Sequence, residues 1–256
     1  MRKKIKVGCL IITLIMFVGV MGCNEKDYDD VEITVSIAAS LKEPMEKLKE
    51  QYEKQNDIKI IYNSGGSGAL KKQIEEGAEV DLFLSANSKY VDELIKKDLI
   101  DSNYSGDLLE NSLVLVKSSD SPEIHSFDDL LKSEKIALGE VSTVPAGQYA
   151  KEALINMNLW ENLKDKIIFA KDVSIVKSYV ERGDVQYGFI YKSDSLGMNN
   201  GKTVLEIPNQ NHEKILYKYG IIEKSKNKSQ CEDFMDFLNS PEAQKIFEEY
   251  GFKLCQ

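Results

Sequence analysis

From residue 31 onward the chain switches repeatedly between two spacings of its apolar residues. Residues 31–37, Val-Glu-Ile-Thr-Val-Ser-Ile, put an apolar side chain at every second position and read as a strand with one face inward. Residues 41–54 shift to helical spacing, with Leu41, Met45, Leu48 and Tyr52 along one side. The same alternation predicts strands at 58–62 and 80–84, with helices at 69–76 and 90–97. It restarts with strands at 112–116, 135–138, 167–169 and 187–191, separated by helices near 127–131, 146–157 and 175–182. A crossing strand is expected at 215–222. Two closing helices, 230–238 and 242–249, are split by Ser240-Pro241, a Ser N-cap followed by Pro at the first helical position. Strands that alternate with helices imply sheets with a mainly parallel order and helices on both faces. The pattern covers some 225 residues in two successive blocks and predicts an α/β fold of two lobes.

Ahead of this region the pattern is different. Met1 to Lys6 is basic, Val7 to Val20 is uncharged and mostly apolar, and the run stops at Val20-Met21-Gly22-Cys23. A basic start followed by a short apolar stretch is the layout of a secretory signal. The stretch is shorter than the ~20 apolar residues that span a bilayer. A small residue before Cys at the end of that run resembles a bacterial lipoprotein signal, in which the Cys23 thiol would carry the lipid. Residues 1–22 are then the signal peptide, and 23–30, polar and acidic, a flexible tether to the folded part.

Charge narrows the partners. The chain carries a formal net charge of −9, and residues 1–22 hold four cations and no acid, so the mature form carries −13. Such a chain is a poor match for nucleic acid, whose phosphates need Lys and Arg. Beyond the signal only one arginine remains, Arg182, so an anion site built on clustered arginines is excluded. Cys231 and Cys255 are the cysteines left after Cys9 and Cys23; no Cys-x-x-Cys spacing points to zinc, and their pairing is left open. The two histidines, His125 and His212, lie in polar segments without metal-ligand spacing and read as solvated surface residues. No Gly-x-Ser-x-Gly elbow supports a serine hydrolase.

Two strand-to-helix junctions carry the candidate chemistry. Gly65-Gly66-Ser67-Gly68 joins a strand to a helix, and glycines there let backbone N–H groups turn toward an anion at the helix start. No Gly-Lys-[Ser/Thr] follows, so the loop is not a Walker A motif. Ala39-Ser40-Leu41 repeats the arrangement after the first strand, where Ser40 with Glu43 also fits a capping box. Both serines would sit at one sheet edge. A secreted, tethered α/β chain with this layout fits a binding protein that closes on a solute.

Several ordered stretches now carry a resemblance. They are Ala38-Ala39-Ser40-Leu41; Gly66-Ser67-Gly68-Ala69-Leu70; residues 78–86, Ala-Glu-Val-Asp-Leu-Phe-Leu-Ser-Ala; Asn111 to Val116; Val144-Pro145-Ala146-Gly147-Gln148-Tyr149; and Tyr187 to Asp194. Together they resemble the molybdate-binding proteins of bacterial ABC importers, within the type II periplasmic binding fold. The resemblance implies a non-enzymatic carrier that takes molybdate or tungstate, without a cofactor and without direct metal coordination, and hands it to an importer permease. It also implies a monomer held at the outer face of the cell membrane by its lipid.

The site implied is an oxyanion held by the Ser40 and Ser67 hydroxyls, the Ala146 and Val173 amides and the Tyr191 phenol. A serine run in several family members is replaced here by the Gly-Ser-Gly loop. Arg182 falls on a helix end that contributes no ligand. By the family's chain path, lobe one comprises 31–110 and 217–256 and lobe two 111–216, with a ligand cleft between them and crossovers near Asn111 and Tyr217. The alternatives weighed on residues alone are a binder of sulfate or of an amino acid, and a lipid-anchored hydrolase. An amino-acid site would want an arginine for the carboxylate, and a hydrolase would want a base beside Ser40 or Ser67.

Overall fold

The structure is a computed structural model and describes residues 31–255; the signal segment, Cys23 and the tether lie outside the described residues. The first block builds β1 (Val31–Ala38), α1 (Lys42–Gln55), β2 (Ile58–Gly65), α2 (Ser67–Glu75), β3 (Leu82–Ser85), α3 (Ser88–Ile95) and β4 (Ile100–Asn111). The second builds β5 (Leu113–Lys117), β6 (Ile136–Gly139), α4 (Pro145–Asn156), α5 (Trp160–Leu163), β7 (Ile167–Ala170), α6 (Val173–Glu181), β8 (Tyr187–Tyr191), α7 (Lys192–Leu196) and β9 (Lys202–Glu206). The chain then returns through β10 (Ile215–Ile222) to α8 (Lys228–Leu238), α9 (Pro241–Glu249) and β11 (Lys253–Leu254).

Two sheets result, one in each lobe. The first has the order β11-β4-β10-β3-β1-β2 and the second β7-β6-β8-β5-β9. The two-lobed α/β architecture expected from the sequence is present, but both sheets are mixed rather than mainly parallel. β1 pairs parallel with β2 and β3, as a β-α-β path dictates. β10 pairs antiparallel with β3 and β4, because it enters from the other lobe with no helix to carry it over the sheet. In the second sheet β6 is parallel to β7 and β8, whereas β5 is antiparallel to β8 and β9.

β4 and β9 lie outside the strands that apolar spacing predicts. Both are polar and sparse in alternation, and only neighbouring strands supply the partners that hold them extended. The segment expected as a helix near 127–131 is a 3-10 helix, Phe127–Lys132, closed by a Ser126–Asp129 capping box. The Ser240 N-cap is present, its hydroxyl accepting the Ala243 amide at 3.3 Å.

The cores explain why the strands sit where they do. Ile33, Val35 and Ile37 are fully buried on β1 against Leu41, Met45 and Leu48 of the helical layer. β5 is buried along its whole length, Lys117 included; its ammonium donates to the Ser118 and Ser121 carbonyls and pairs with Glu123 at 3.4 Å. Cys231 is buried in α8 and Cys255 half-buried, and both are free thiols, so no disulfide joins them. His212 departs from the surface reading: it is buried against the Tyr149 ring, with Nδ1 at 2.7 Å from the Glu213 carbonyl oxygen. His125 is exposed as expected.

Candidate functional site

The sheet edges of the two lobes face each other, and the strand-to-helix junctions of both lie there. In the first lobe β1 runs into a 3-10 turn, Ala39–Leu41, that carries Ser40. β2 runs into α2 through Gly66, whose extended backbone (φ −63°, ψ 128°) makes it the N-cap and places Ser67 at the first helical position. In the second lobe β6 leads to α4, capped by Val144 with Pro145 at its first position. β7 leads to α6, capped by Asp172, whose side chain accepts the Ile175 amide at 3.0 Å. Seating α4 this low over β6 requires Gly147: a Cβ there would lie 1.9 Å from the Gly139 carbonyl oxygen.

These junctions border a small cavity of about 10 Å³ lined by Ser40, Ser67, Ala146, Val173 and Tyr191, together with Ala38, Ala39, Gly65, Gly66, Ala86, Val144 and Pro145. All five residues singled out from the sequence therefore meet at one place, although as many as 151 positions separate them along the chain, from Ser40 to Tyr191. No charged side chain lines the cavity. Its volume is below the ~300–1,000 Å³ of pockets for drug-sized ligands.

Each of these five residues presents a group that can donate. Ala146 and Val173 occupy the second and first positions of their helices, where an amide has no intrahelical acceptor. Ser67 Oγ accepts the Ala86 amide at 3.1 Å, which leaves its own proton free. Ser40 does not form the capping box its spacing suggests: α1 starts at Lys42, one residue late, with Leu41 as its N-cap, and Ser40 Oγ lies 2.8 Å from Tyr217 Oη instead. Tyr191 is 1% exposed, and its hydroxyl has no hydrogen-bond partner among the described residues. Burial, reinforced by the neighbouring Tyr217, pushes the Tyr191 phenol well above its ordinary range, so it keeps its proton.

The two lobes are drawn together across this cavity. The Gly68 amide donates to the Thr143 carbonyl at 2.8 Å, and Asn87 Nδ2 donates to Gln148 Oε1 at 3.1 Å. Gln148 also donates to Tyr90 Oη, and Lys89 pairs with Glu213 at 2.5 Å. Arg182 is far from all of this in role: it is exposed, stacked near Tyr179 and paired with Asp184 at 2.7 Å. A wider surface groove lies between α1 and α6, where Glu43, Glu46, Glu181 and Asp194 outnumber Lys42 and Lys177. Its net negative charge makes it a poor home for an anion.

Sequence reading passed over Asp194, which closes the first turn of α7 just after Tyr191. The residue is half-buried, but its Oδ2 is sealed from solvent and unpartnered. Burial raises its pKa to about 7; Lys177 on α6 and the Tyr191 amide pull it down, while Glu43 on α1 and Asp172 at the α6 N-cap push it up. A free aspartate has a pKa near 4. Between these two values the folded state holds a proton that the unfolded state has lost, so its stabilising contribution is complete in acid and disappears as the pH rises to about 7. The chain should lose on the order of 1–4 kcal/mol of unfolding free energy from this group between pH 4 and 7. Asp194→Asn should flatten that decline in urea titrations taken across the range; an unchanged slope would contradict the assignment.

Comparison with known proteins agrees with this geometry. Residues 33–253 match the family model described as bacterial extracellular solute-binding protein. The chain is 42% identical to the protein named "Putative ABC transporter substrate-binding lipoprotein YvgL" of Bacillus subtilis, over 96% of this chain and 98% of that one. It is 35% identical to the molybdate-binding protein ModA of Escherichia coli, over 88% of this chain and 90% of that one. A solved structure described as "substrate binding domain of putative molybdenum ABC transporter from Clostridium difficile" superposes with a TM-score of 0.68 at 44% identity, covering 88% of this chain and all of that one. The chain therefore belongs to the bacterial extracellular solute-binding protein family, as a binding protein of an ABC transporter and not an enzyme.

Proposed function

We propose that this protein captures molybdate or tungstate outside the cytoplasm and delivers it to the permease of an ABC importer. The observation that carries the reading is the cavity wall: two serine hydroxyls, two helix-start amides and a buried, unpartnered tyrosine hydroxyl converge on one small space with no charged side chain in it. A fully deprotonated tetrahedral oxyanion is the ligand that such a set satisfies, because each of its oxygens accepts and none donates. Monohydrogen phosphate brings a proton that needs an acceptor, which the two amides do not offer and a hydroxyl offers only by turning its own proton away; a hydrogen bond left unmade costs roughly 1–3 kcal/mol. Sulfate passes the proton test but has shorter bonds and spans the two lobes less well. ModA of Escherichia coli, similar along nearly its whole length, is named for molybdate.

The reading includes two lobes, 31–110 with 217–256 and 111–216, that close about the crossovers near Asn111 and Tyr217, and a lipid on Cys23 that keeps the carrier beside its permease. YvgL, whose printed name includes lipoprotein, supports the anchor.

Calorimetry with molybdate, tungstate, sulfate, phosphate and glutamate tests the ligand: the first two should bind tightest, sulfate well below them, and phosphate and glutamate negligibly. Phosphate or glutamate binding as tightly as molybdate would end the proposal. Ser40→Ala and Ser67→Ala should each cost about 1.5–3 kcal/mol of binding, the value of a hydrogen bond to a charged partner. Tyr191→Phe should weaken binding while leaving the melting temperature of the free protein unchanged or higher, since the hydroxyl it removes is buried without a partner.

Closure has its own test. A Cβ at Gly68 would sit 2.8 Å from Thr143 Cα and 2.9 Å from its carbonyl oxygen, across the cleft. Gly68→Ala should therefore lower affinity at least tenfold, measured by the same titration, without lowering the melting temperature. For the anchor, Cys23→Ala should move the protein out of the membrane fraction and leave its affinity unchanged.

A further inference from the structure

Tyr217 does not line the cavity, yet it touches a residue that does. It stands on β10, is 1% exposed, and is clamped edge-on between the Tyr191 ring at 5.9 Å and the Phe252 ring at 5.4 Å. Its hydroxyl has two polar neighbours, Ser40 Oγ at 2.8 Å and Asn111 Nδ2 at 3.3 Å.

The hydrogen-bond polarity of this group follows from Asn111. Asn111 Oδ1 accepts the Ser112 amide at 2.9 Å, and Nδ2 also donates to Ser193 Oγ at 2.9 Å. The side-chain amide is therefore oriented by a backbone donor, and it can only donate to Tyr217. The phenol proton then has one acceptor within reach, Ser40 Oγ. Reversing the Ser40–Tyr217 bond would strand the phenol proton in a buried site. Burial also holds the phenol well above its ordinary range, so that proton is present throughout the physiological range.

We propose that Tyr217 is a positioning residue: it donates to Ser40 Oγ and thereby commits the Ser40 hydroxyl to donate into the cavity. This rests on the oxyanion reading above. Ser67 is committed in the same way by the Ala86 amide. With one lone pair of each serine oxygen already taken from behind, both hydroxyls keep their protons free for the cavity, so Tyr217 contributes to selectivity for an anion that only accepts. The chain of bonds Ser40–Tyr217–Asn111–Ser193 links the 3-10 turn after β1 to the first residues of β10, the end of β4 and the start of α7, so the hydroxyl is held in its donating orientation when both crossovers are seated.

A double-mutant cycle read by calorimetry tests this, with Tyr217→Phe, Ser40→Ala and the two combined, each titrated with molybdate and with phosphate. Tyr217→Phe removes one oxygen and keeps both ring contacts. Molybdate affinity should fall about three- to tenfold in Tyr217→Phe, and the molybdate-to-phosphate affinity ratio should fall with it. In the Ser40→Ala background the same change should alter molybdate affinity less than twofold, because the hydroxyl it acts on is gone. An equal loss in both backgrounds, or no loss in either, would overturn the proposal. Asn111→Ala is the second variant: it frees the phenol from its donor and should give a smaller loss that also vanishes without the Ser40 hydroxyl; a loss that persists there would likewise count against it. The wild-type titration reports separately on the ligand: no oxyanion binding there would sink the proposed function, whereas wild-type binding with an uncoupled cycle would sink only the role of Tyr217.

Discussion

A buried anion without a counter-cation is stable only where each of its oxygens meets a donor, and under the proposed function much of this fold serves to bring donors from two lobes to one point. The first lobe supplies hydroxyls at Ser40 and Ser67, and the second supplies the Ala146 and Val173 amides and the Tyr191 phenol. Among the described residues the Tyr191 hydroxyl is buried without a hydrogen-bond partner, and the Ala146 and Val173 amides are buried at helix starts where no intrahelical acceptor exists. The dipoles of α4 and α6 point their positive ends the same way and add to the attraction at no cost in mobile charge. A site of fixed dipoles also suits a protein whose formal net charge is −9, which could not concentrate cations without folding them against many acids.

Precision at the site depends on tight backbone approach. α4 reaches the cavity because Gly147 lets it settle on the Gly139 carbonyl, and α2 reaches Thr143 because Gly68 has no side chain to hold the lobes apart. Behind these contacts, the crossovers do more than connect. β4 and β10 pair with each other over most of their length, with irregular register at Tyr217–Lys218 and Gly220–Ile222. Asn111 ends one of them and Tyr217 stands on the other, so the strands that join the lobes also carry the bonds that reach Ser40.

Sequence reading was strongest where one period ran long enough to be unambiguous. β1, α1, β5 and α4 were legible from apolar spacing, and the Ser240-Pro241 helix start from its cap. It failed for β4 and β9, whose polar residues show no alternation because their partners rather than their composition hold them extended. The mixed pairing of both sheets was missed for the same reason: strand direction is set by where a connection crosses, and β10 returns from the other lobe without a helix. Ser40 and His212 show the limit at single residues. The first fits a capping box by spacing but finds a better partner in Tyr217, and the second lies in a polar segment yet is buried against Tyr149.

The chain by itself determined the alternation of strands and helices, the acidic balance, the lack of an arginine cluster, and the two strand-to-helix serines, because each of these is a local property of neighbouring residues. The resemblance that its ordered motifs carry also implied five residues for one site. Only the tertiary structure decided that Ser40, Ser67, Ala146, Val173 and Tyr191 share a cavity, that no charge enters it, and which of its hydroxyls are already occupied. Tyr217, Asn111 and Asp194 acquire their roles there as well. Hydrogen-bond polarity and burial are properties of what surrounds a group in space, and the residues that surround these three come from parts of the chain as far apart as β1 and β10.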